Sequence, residues 1–464
     1  MSKMMERALE RATDTKACLV GDGVLGETAG LFREFFPGAE RAIVIDDPRT
    51  RAAAGEKVAE MLRSQGIEVS EHVLEPGGKI FHGDYRYAEE VREAIKAAQA
   101  GNPPSPRLRR TSGERGTGNG RIVPVAVGSG VVNDVTKRAS GELGIPYLTV
   151  GTAASVDGYS SFGAALRSPE GAKQTYPCPA PRVIVADLDV MRTAPAWMAA
   201  SGFADLMAKV PAGADWILAY ELGATEWHDS AWHTVQDGLK EAIGDPEGVV
   251  AMKTEPFTRF VEGLMLGGFA MQDMQSSRPA SGAEHMFSHL LEMRDHMFKG
   301  EIVPHGIQVG VFTLFMCRVY EQILAFDYSR LDVEACLRNW KPLEEQERIG
   351  AAMFAGTKFP DIGVKAARAK FVDREATRAR LEDFKARWPQ IRARLAAQMV
   401  PSAEIERRLK VVGAPTTPEG IGSTVEASLA DVRKTVYMRD RYMALDFLDL
   451  TGQLDSFAHS GFLV

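Results

Sequence analysis

Short apolar runs alternate with amphipathic stretches through the first part of the chain. "KACLVGD", "RAIVID", "RIVPVAVG", "IPYLTVG" and "PRVIVAD" are Val/Ile-rich runs of strand length, while intervening stretches such as "TRAAAGEKVAEMLRSQG" repeat their apolar positions at helical spacing. Strand alternating with helix is the pattern of a mostly parallel sheet. From residue 196 the strand pattern stops, and helical patterns continue through "AWMAASGFADLMAK", "PFTRFVEGLMLGGFAM", "GIQVGVFTLFMCRVYEQIL" and "ARLEDFKARWPQIRARLAAQM". The expected organisation is an α/β domain over 1–195 followed by an all-α domain over 196–464. Between strands, "AGNPPSPRLRRTSGERGTGNG" at 100–120 is rich in Pro, Gly, Ser and Arg and reads as an exposed, mobile insertion.

Composition narrows the partners. The 464 residues, 45% hydrophobic and 25% charged, suffice for two or three cored domains of ordinary globular balance. A net charge of -7 argues against nucleic acid or an anionic membrane as partner. No apolar run reaches the roughly 20 residues of a membrane helix, and "MSKMMERALERATDTK" lacks the apolar centre of a signal peptide, so a cytoplasmic location is expected. Cys18, Cys178, Cys317 and Cys336 show no paired spacing and read as buried thiols.

Three places carry candidate chemistry. In "VPVAVGSGVVNDVTKRAS" a strand ends in Gly128-Ser129-Gly130, and a helix bearing Asn133, Asp134 and Lys137 begins at once. Glycines there let backbone N–H groups and a helix dipole approach a pyrophosphate. A tight turn needs glycine for geometry alone, and Asn133 breaks the GxGxxG pattern. "AIVIDDPRT" ends a second strand in Asp46 and Asp47, where a carboxylate can hold a ribose diol and favour NADH over NADPH, softened by Arg49 and Arg51, or can serve only as a turn acid.

The third place is "GAEHMFSHLLEM", which sets His285 and His289 four apart on one helix face beside an apolar stripe of Met286, Leu290, Met293 and Met297. Taken alone, that spacing is more often a hydrogen-bonded core pair than a ligand pair. His305 in "IVPHGIQVG" stands at the start of another helix. Asp205, in the apolar "SGFADLMAKVPAGADW", needs a cation, which either Lys209 one turn on or a metal supplies.

In this order, "VGSGVVNDVTK", "VGTAASVDGYSS", "SGFADLMAK…ADW", "SGAEHMFSHLLEM" and "PHGIQVG" resemble the sn-glycerol-1-phosphate dehydrogenase family, of the dehydroquinate-synthase-like and iron-containing alcohol dehydrogenase superfamily. The resemblance covers about 17–320, with a looser echo at "RDRYMALDFLDLTGQLD"; the 100–120 insertion and a helical extension near 365–420 depart from it. It implies a dehydroquinate-synthase-like fold: a dinucleotide-binding α/β domain, an all-α domain, and a cleft holding NAD(P) and one divalent metal (Zn, Ni or Fe). Gly128, Ser129, Gly130, Val131 and Val132 then meet the dinucleotide phosphates, with Asp134 and Asp47 also on the cofactor side. Thr152, Ala153, Ala154, Ser155 and Ser161 line the nicotinamide. Asp205, His285 and His305 become metal ligands, and Asp157, Asp205 and His289 meet substrate, with Asp157 and His289 in the catalytic role.

The implied reaction is reduction of dihydroxyacetone phosphate, the metal acting as Lewis acid and the alkoxide taking its proton through His289 or a bound water. Lys173 and Lys209 are the candidate cations for the substrate phosphate. A small phosphorylated triose is the expected partner, and the protein a homo-oligomer, dimer or larger. Rival readings are a glycerol or other polyol dehydrogenase, a dehydroquinate synthase, a non-haem iron oxygenase built on the same two His and one Asp, and a non-catalytic binding protein.

Overall fold

The computed structural model describes residues 2–76, 81–100, 121–169 and 173–463. All but the first residue of the 100–120 insertion lies outside them. The chain divides into two compact units, one of 1–206 with 240–276, the other of 207–239 with 277–464.

The first unit is built on a six-stranded sheet. Its strands are β1 (Ala17–Gly21), β2 (Ala39–Asp46), β3 (Glu68–Val73), β4 (Arg121–Gly128), β5 (Leu148–Gly151) and, after an antiparallel ribbon of β6 (Ala164–Arg167) and β7 (Lys173–Tyr176), β8 (Val183–Asp187). The order is β1-β8-β5-β4-β2-β3, with every pairing parallel. Alternate side chains serve opposite faces. Val44, Val123, Val125 and Val127 join Phe32, Val58 and Leu62 in one core, while Ile43, Ile45, Ile122 and Ala126 join Val91, Ile95 and Val135 in another. Burial on both faces explains why the strands read as continuous apolar runs rather than alternating ones.

Those two cores also locate a crevice. The helix after β2, Glu56–Ser64, packs on one face, whereas α1 (Gly130–Leu143), which follows the neighbouring strand β4, packs on the other. Helices diverging from adjacent parallel strands leave an opening at the strands' carboxyl ends, where ligands bind in open α/β sheets. The two longest helices after the sheet in this unit are α2 (Ala196–Met207), all but its last residue, and α4 (Thr254–Met274), with α3 (Lys209–Glu221) falling in the other unit. On α4, the buried Gln272 accepts the N–H groups of Asp14 and Thr15 at 3.1 and 3.3 Å, tying the helix to the entry of β1.

The second unit is helical, apart from a two-residue-per-strand hairpin of β9 (Met297–Phe298) and β10 (Glu301–Ile302). That hairpin links α5 (Ala283–Met293) to α6 (His305–Ala325), and the rings of Phe287 and Phe312 stack between the two helices at 4.4 Å. The predicted stripe on α5 holds at Met286 and Leu290, which are buried, but the helix ends at Met293, leaving Met297 on β9 and 54% exposed. Positive φ at Asp295 stops the helix there. α6 has the length and apolarity of a membrane span, yet Val309, Leu314 and Met316 along it are wholly buried in the unit's own core. Tyr328, Phe384, Trp388 and Phe447 form a second aromatic core, where the extension near 365–420 supplies the long helix Arg374–Gln398. All four cysteines are buried free thiols.

Candidate functional site

At the crevice of the first unit, β4 ends in Gly128 and Ser129 caps α1 with extended backbone and no side-chain bond of its own. Thr152, the first residue beyond β5, donates its N–H to Gly128 O at 3.1 Å, so the 128–132 turn and the 152–155 loop lie side by side. Thr152, Ala153, Ala154, Ser155 and Ser161 are all buried. Below the turn, α1 uses its polar residues to hold the following loop. Lys137, fully buried, donates to Gly158 O and Gly163 O at 2.9 and 3.1 Å and pairs with Asp134 at 3.2 Å; Asp134 also accepts from Ala165 N–H. Asn133 accepts from the Tyr147 hydroxyl at 2.9 Å. Asp134 therefore anchors a loop through its carboxylate, and Lys137 neutralises it.

Across the crevice, Asp47 is an N-cap: its carboxylate accepts the N–H groups of Arg49 and Thr50 at 2.8 and 3.1 Å, with Pro48 at the first helical position. Its neighbour Asp46 is wholly buried, has no hydrogen-bond partner among the described residues, and stands 3.8 Å from Arg51. Burial, only partly offset by Arg51, pushes its carboxyl up to about 8.

Asp205 reaches this region through a close approach. A Cβ on Gly202 would sit 2.2 Å from Ala154 O, so only glycine lets α2 lie against the 152–155 loop. One turn on, Asp205, 1% exposed, accepts the N–H of Asp157 at 3.2 Å. Two sequence candidates thus meet: Asp157 is positioned by the carboxylate of Asp205.

The second unit holds the histidines. The start of α5 has no capping side chain of its own; instead Asp215, on α3, accepts Ala283 N–H at 2.7 Å, together with the Tyr320 hydroxyl at 2.6 Å and Ala444 N–H at 2.9 Å. A Cβ on Gly282 would sit 2.7 Å from that carboxylate. Burial and the nearby Glu284 charge raise Asp215 to about 7.

From this anchor α5 presents His285 and His289, and α6 presents His305. The rings of His285 and His305 stand 5.3 Å apart and those of His289 and His305 6.0 Å. Nδ1 of His285 lies 2.7 Å from Glu284 Oε1. Nδ1 of His305 lies 3.1 Å from both Glu292 Oε1 and Ser288 Oγ. Gln308 donates to Val303 O and accepts from Ser288, which leaves the Ser288 oxygen to accept from His305. In both rings the proton therefore sits on Nδ1 and the lone pair on Nε2. Imidazoles whose Nδ1 is held by a carboxylate are what a divalent cation takes as ligands, and two of them with a carboxylate oxygen make a donor set suited to zinc, nickel or ferrous iron.

His289 differs. Its Nδ1 is 3.2 Å from the other oxygen of Glu292, and its Nε2 accepts from Arg439 at 3.2 Å. Burial, with the Arg439 charge adding to it, pushes its pKa down to about 3, so the ring is neutral. Lys209 opens α3 and is wholly buried; Lys173 is the first residue of β7. Glu284, Glu292, Arg439 and the buried Arg441 were not among the sequence candidates. Glu292 was within reach, since it stands three residues beyond His289 on the same helical face.

A parallel sheet with diverging helices in one unit and a helical second unit fit the resemblance to the iron-containing alcohol dehydrogenase family. The model of that family, described as iron-containing alcohol dehydrogenase, matches residues 109–195. In fold the chain is like glycerol dehydrogenase of Schizosaccharomyces pombe, with a TM-score of 0.56 and 16% identity over 97% of this chain and 91% of that one. Closer in sequence are glycerol-1-phosphate dehydrogenases [NAD(P)+]. That of Geobacillus stearothermophilus is 30% identical over 329 residues, 70% of this chain and 71% of the relative. That of Bacillus subtilis is 35% identical over 206 residues, 44% of this chain and about half (52%) of the relative. The chain belongs to the glycerol-1-phosphate dehydrogenase family, and it is an NAD(P)-linked oxidoreductase whose family implies a divalent metal.

Proposed function

We propose that the chain reduces dihydroxyacetone phosphate to sn-glycerol 1-phosphate with NAD(P)H, reversibly. The observation that carries this reading is the pair His285 and His305, 5.3 Å apart and each fixed at Nδ1 by a carboxylate, in a member of this family. Asp205, His285 and His305 are the residues we assign to the metal. The turn of Gly128, Ser129, Gly130, Val131 and Val132 serves the dinucleotide phosphates, and Thr152 to Ser155 with Ser161 serve the nicotinamide side, with Asp134 bracing the loop and Asp47 biasing the site towards NADH. When bound, the nicotinamide supplies hydride and the metal supplies Lewis acidity to the ketone.

The chain's own residues do the rest. Asp157 is held by Asp205 at the substrate end, and neutral His289 offers Nε2 as an acceptor that orients a substrate hydroxyl. Buried side chains around the 152–155 loop exclude water from the reacting carbon. The buried free thiols suit the reducing cytoplasm, and the expected partner stays a small phosphorylated triose, with the protein a homo-oligomer, dimer or larger.

The test is a substrate pair. Metal-loaded protein with NADH should reduce dihydroxyacetone phosphate at least about tenfold faster than dihydroxyacetone, since one charge-assisted contact is worth roughly 1.5–3 kcal/mol. Equal rates would instead assign a polyol dehydrogenase. Complete oxidation of the product by an enzyme specific for sn-glycerol 3-phosphate would show the opposite handedness and overturn the reading.

A further inference from the structure

The helical unit contains a second cluster beside the histidines, made of guanidinium groups. Arg439 donates to Ser277 Oγ at 3.2 Å and to His289 Nε2 at 3.2 Å. Arg441 donates to the same Ser277 Oγ at 2.8 Å and to Ser281 O. Arg278 donates to Tyr442 O at 3.0 Å. Among the described residues, neither Arg439 nor Arg441 forms an ion pair with a carboxylate; Asp440 between them is exposed. Arg441 is buried and Arg439 half-buried.

A guanidinium withdrawn from water and bonded only to neutral groups is an electrostatic cost that an anion relieves. Its planar fork suits a phosphate, which accepts two parallel N–H bonds. We propose that Arg439, backed by Arg441 across Ser277, is the cation that binds the phosphate of the phosphorylated substrate. This rests on the substrate reading above, and it places the phosphate beside His289, the residue assigned to a hydroxyl of the same small molecule. It also gives Arg439 a positioning role. One of its N–H groups occupies the His289 lone pair. A phosphate oxygen that takes over this N–H leaves Nε2 to accept from the substrate hydroxyl, so phosphate binding readies the histidine.

The experiment compares Arg439→Met and Arg439→Lys with the wild-type metal-loaded enzyme in two measurements. In the first, kcat/KM is measured for dihydroxyacetone phosphate and for dihydroxyacetone, and their ratio should fall about tenfold or more in Arg439→Met. Arg439→Lys should recover part of that loss through KM, because it keeps the charge and loses the fork. In the second, calorimetric affinity for inorganic phosphate should fall about tenfold in Arg439→Met. A ratio within about threefold of wild type, with unchanged phosphate affinity, would overturn the assignment. A wild type with no preference for the phosphorylated triose would sink the substrate reading instead, and the phosphate titration would still decide Arg439. If Arg439→Met fails to fold, Arg439→Lys carries both measurements, and unchanged values there count against the proposal.

Discussion

The carboxylate of Glu292 lies 3.1 Å from Nδ1 of His305, a residue 13 positions further along the chain and on a different helix. The contact fixes which nitrogen of the ring carries the proton. Glu292 meets His305 with one oxygen and His289 with the other, so exchanging the carboxylate for a carboxamide leaves one acceptor for two rings and sets an NH2 group against one of them. Glu292→Gln should therefore weaken divalent-metal affinity by about 10–100-fold while the far-UV spectrum stays that of the folded protein. Competition with a chelator measures this, and an unchanged midpoint would show that Glu292 does not act on the ligand.

His305→Ala should remove bound metal and activity together and leave the helices intact, since His305 is the first residue of α6 and its ring is not part of the core. Elemental analysis after dialysis is the measurement. Stoichiometric metal in the variant would exclude His305 as a ligand.

Gly202→Ala tests the approach of α2 to the 152–155 loop. The added Cβ meets Ala154 O at 2.2 Å, so helix and loop must separate, at a cost of about 1–3 kcal/mol. A lower melting temperature and a reduced kcat are expected together, because the same loop leads to Asp157. Wild-type values of both would mean that the backbone there has room to spare.

Asp46 supplies a pH signature. Its carboxyl is raised to about 8 in the fold, against 3.8 for the free side chain, so between those values the folded chain keeps a proton that the unfolded chain has lost. Its contribution to stability therefore declines as pH rises through that window and levels off above it. Denaturant midpoints measured from pH 5 to 9 should fall less steeply in Asp46→Asn than in wild type. Parallel profiles would place the titration elsewhere.

Strands with unbroken apolar runs were legible in the sequence because both sheet faces are covered, and β1, β2, β4, β5 and β8 stand where those runs stand. β3 was not. It is an edge strand whose "EVSEHV" carries Glu71 against Arg51 and Arg63 and sets His72 beside Glu90, so charged and polar residues replace the apolar signal. The antiparallel ribbon β6–β7 is too short to announce itself. At the candidate site, Asp47 was readable as a turn acid as well as a ribose acid, and the structure makes it the N-cap of a short helix that begins at Pro48. Arg439 was out of reach for a plainer reason: 150 positions separate it from His289, and nothing local to either residue points to the other.

Asp215 brings a consequence for how the chain is made. It accepts the backbone N–H groups that begin α5 and, 229 positions beyond itself, Ala444. At the ribosome's pace of about 5–20 residues per second, the interval between the emergence of Asp215 and that of Ala444 is on the order of ten to fifty seconds. When the start of the histidine helix emerges, 68 positions after Asp215, the carboxylate that anchors it still lacks Ala444 until the interval closes. The helix that presents His285 and His289 therefore gains its full anchor only when the segment around Ala444 has been made, so the two residues proposed for metal and substrate are held last of all by the late part of the chain.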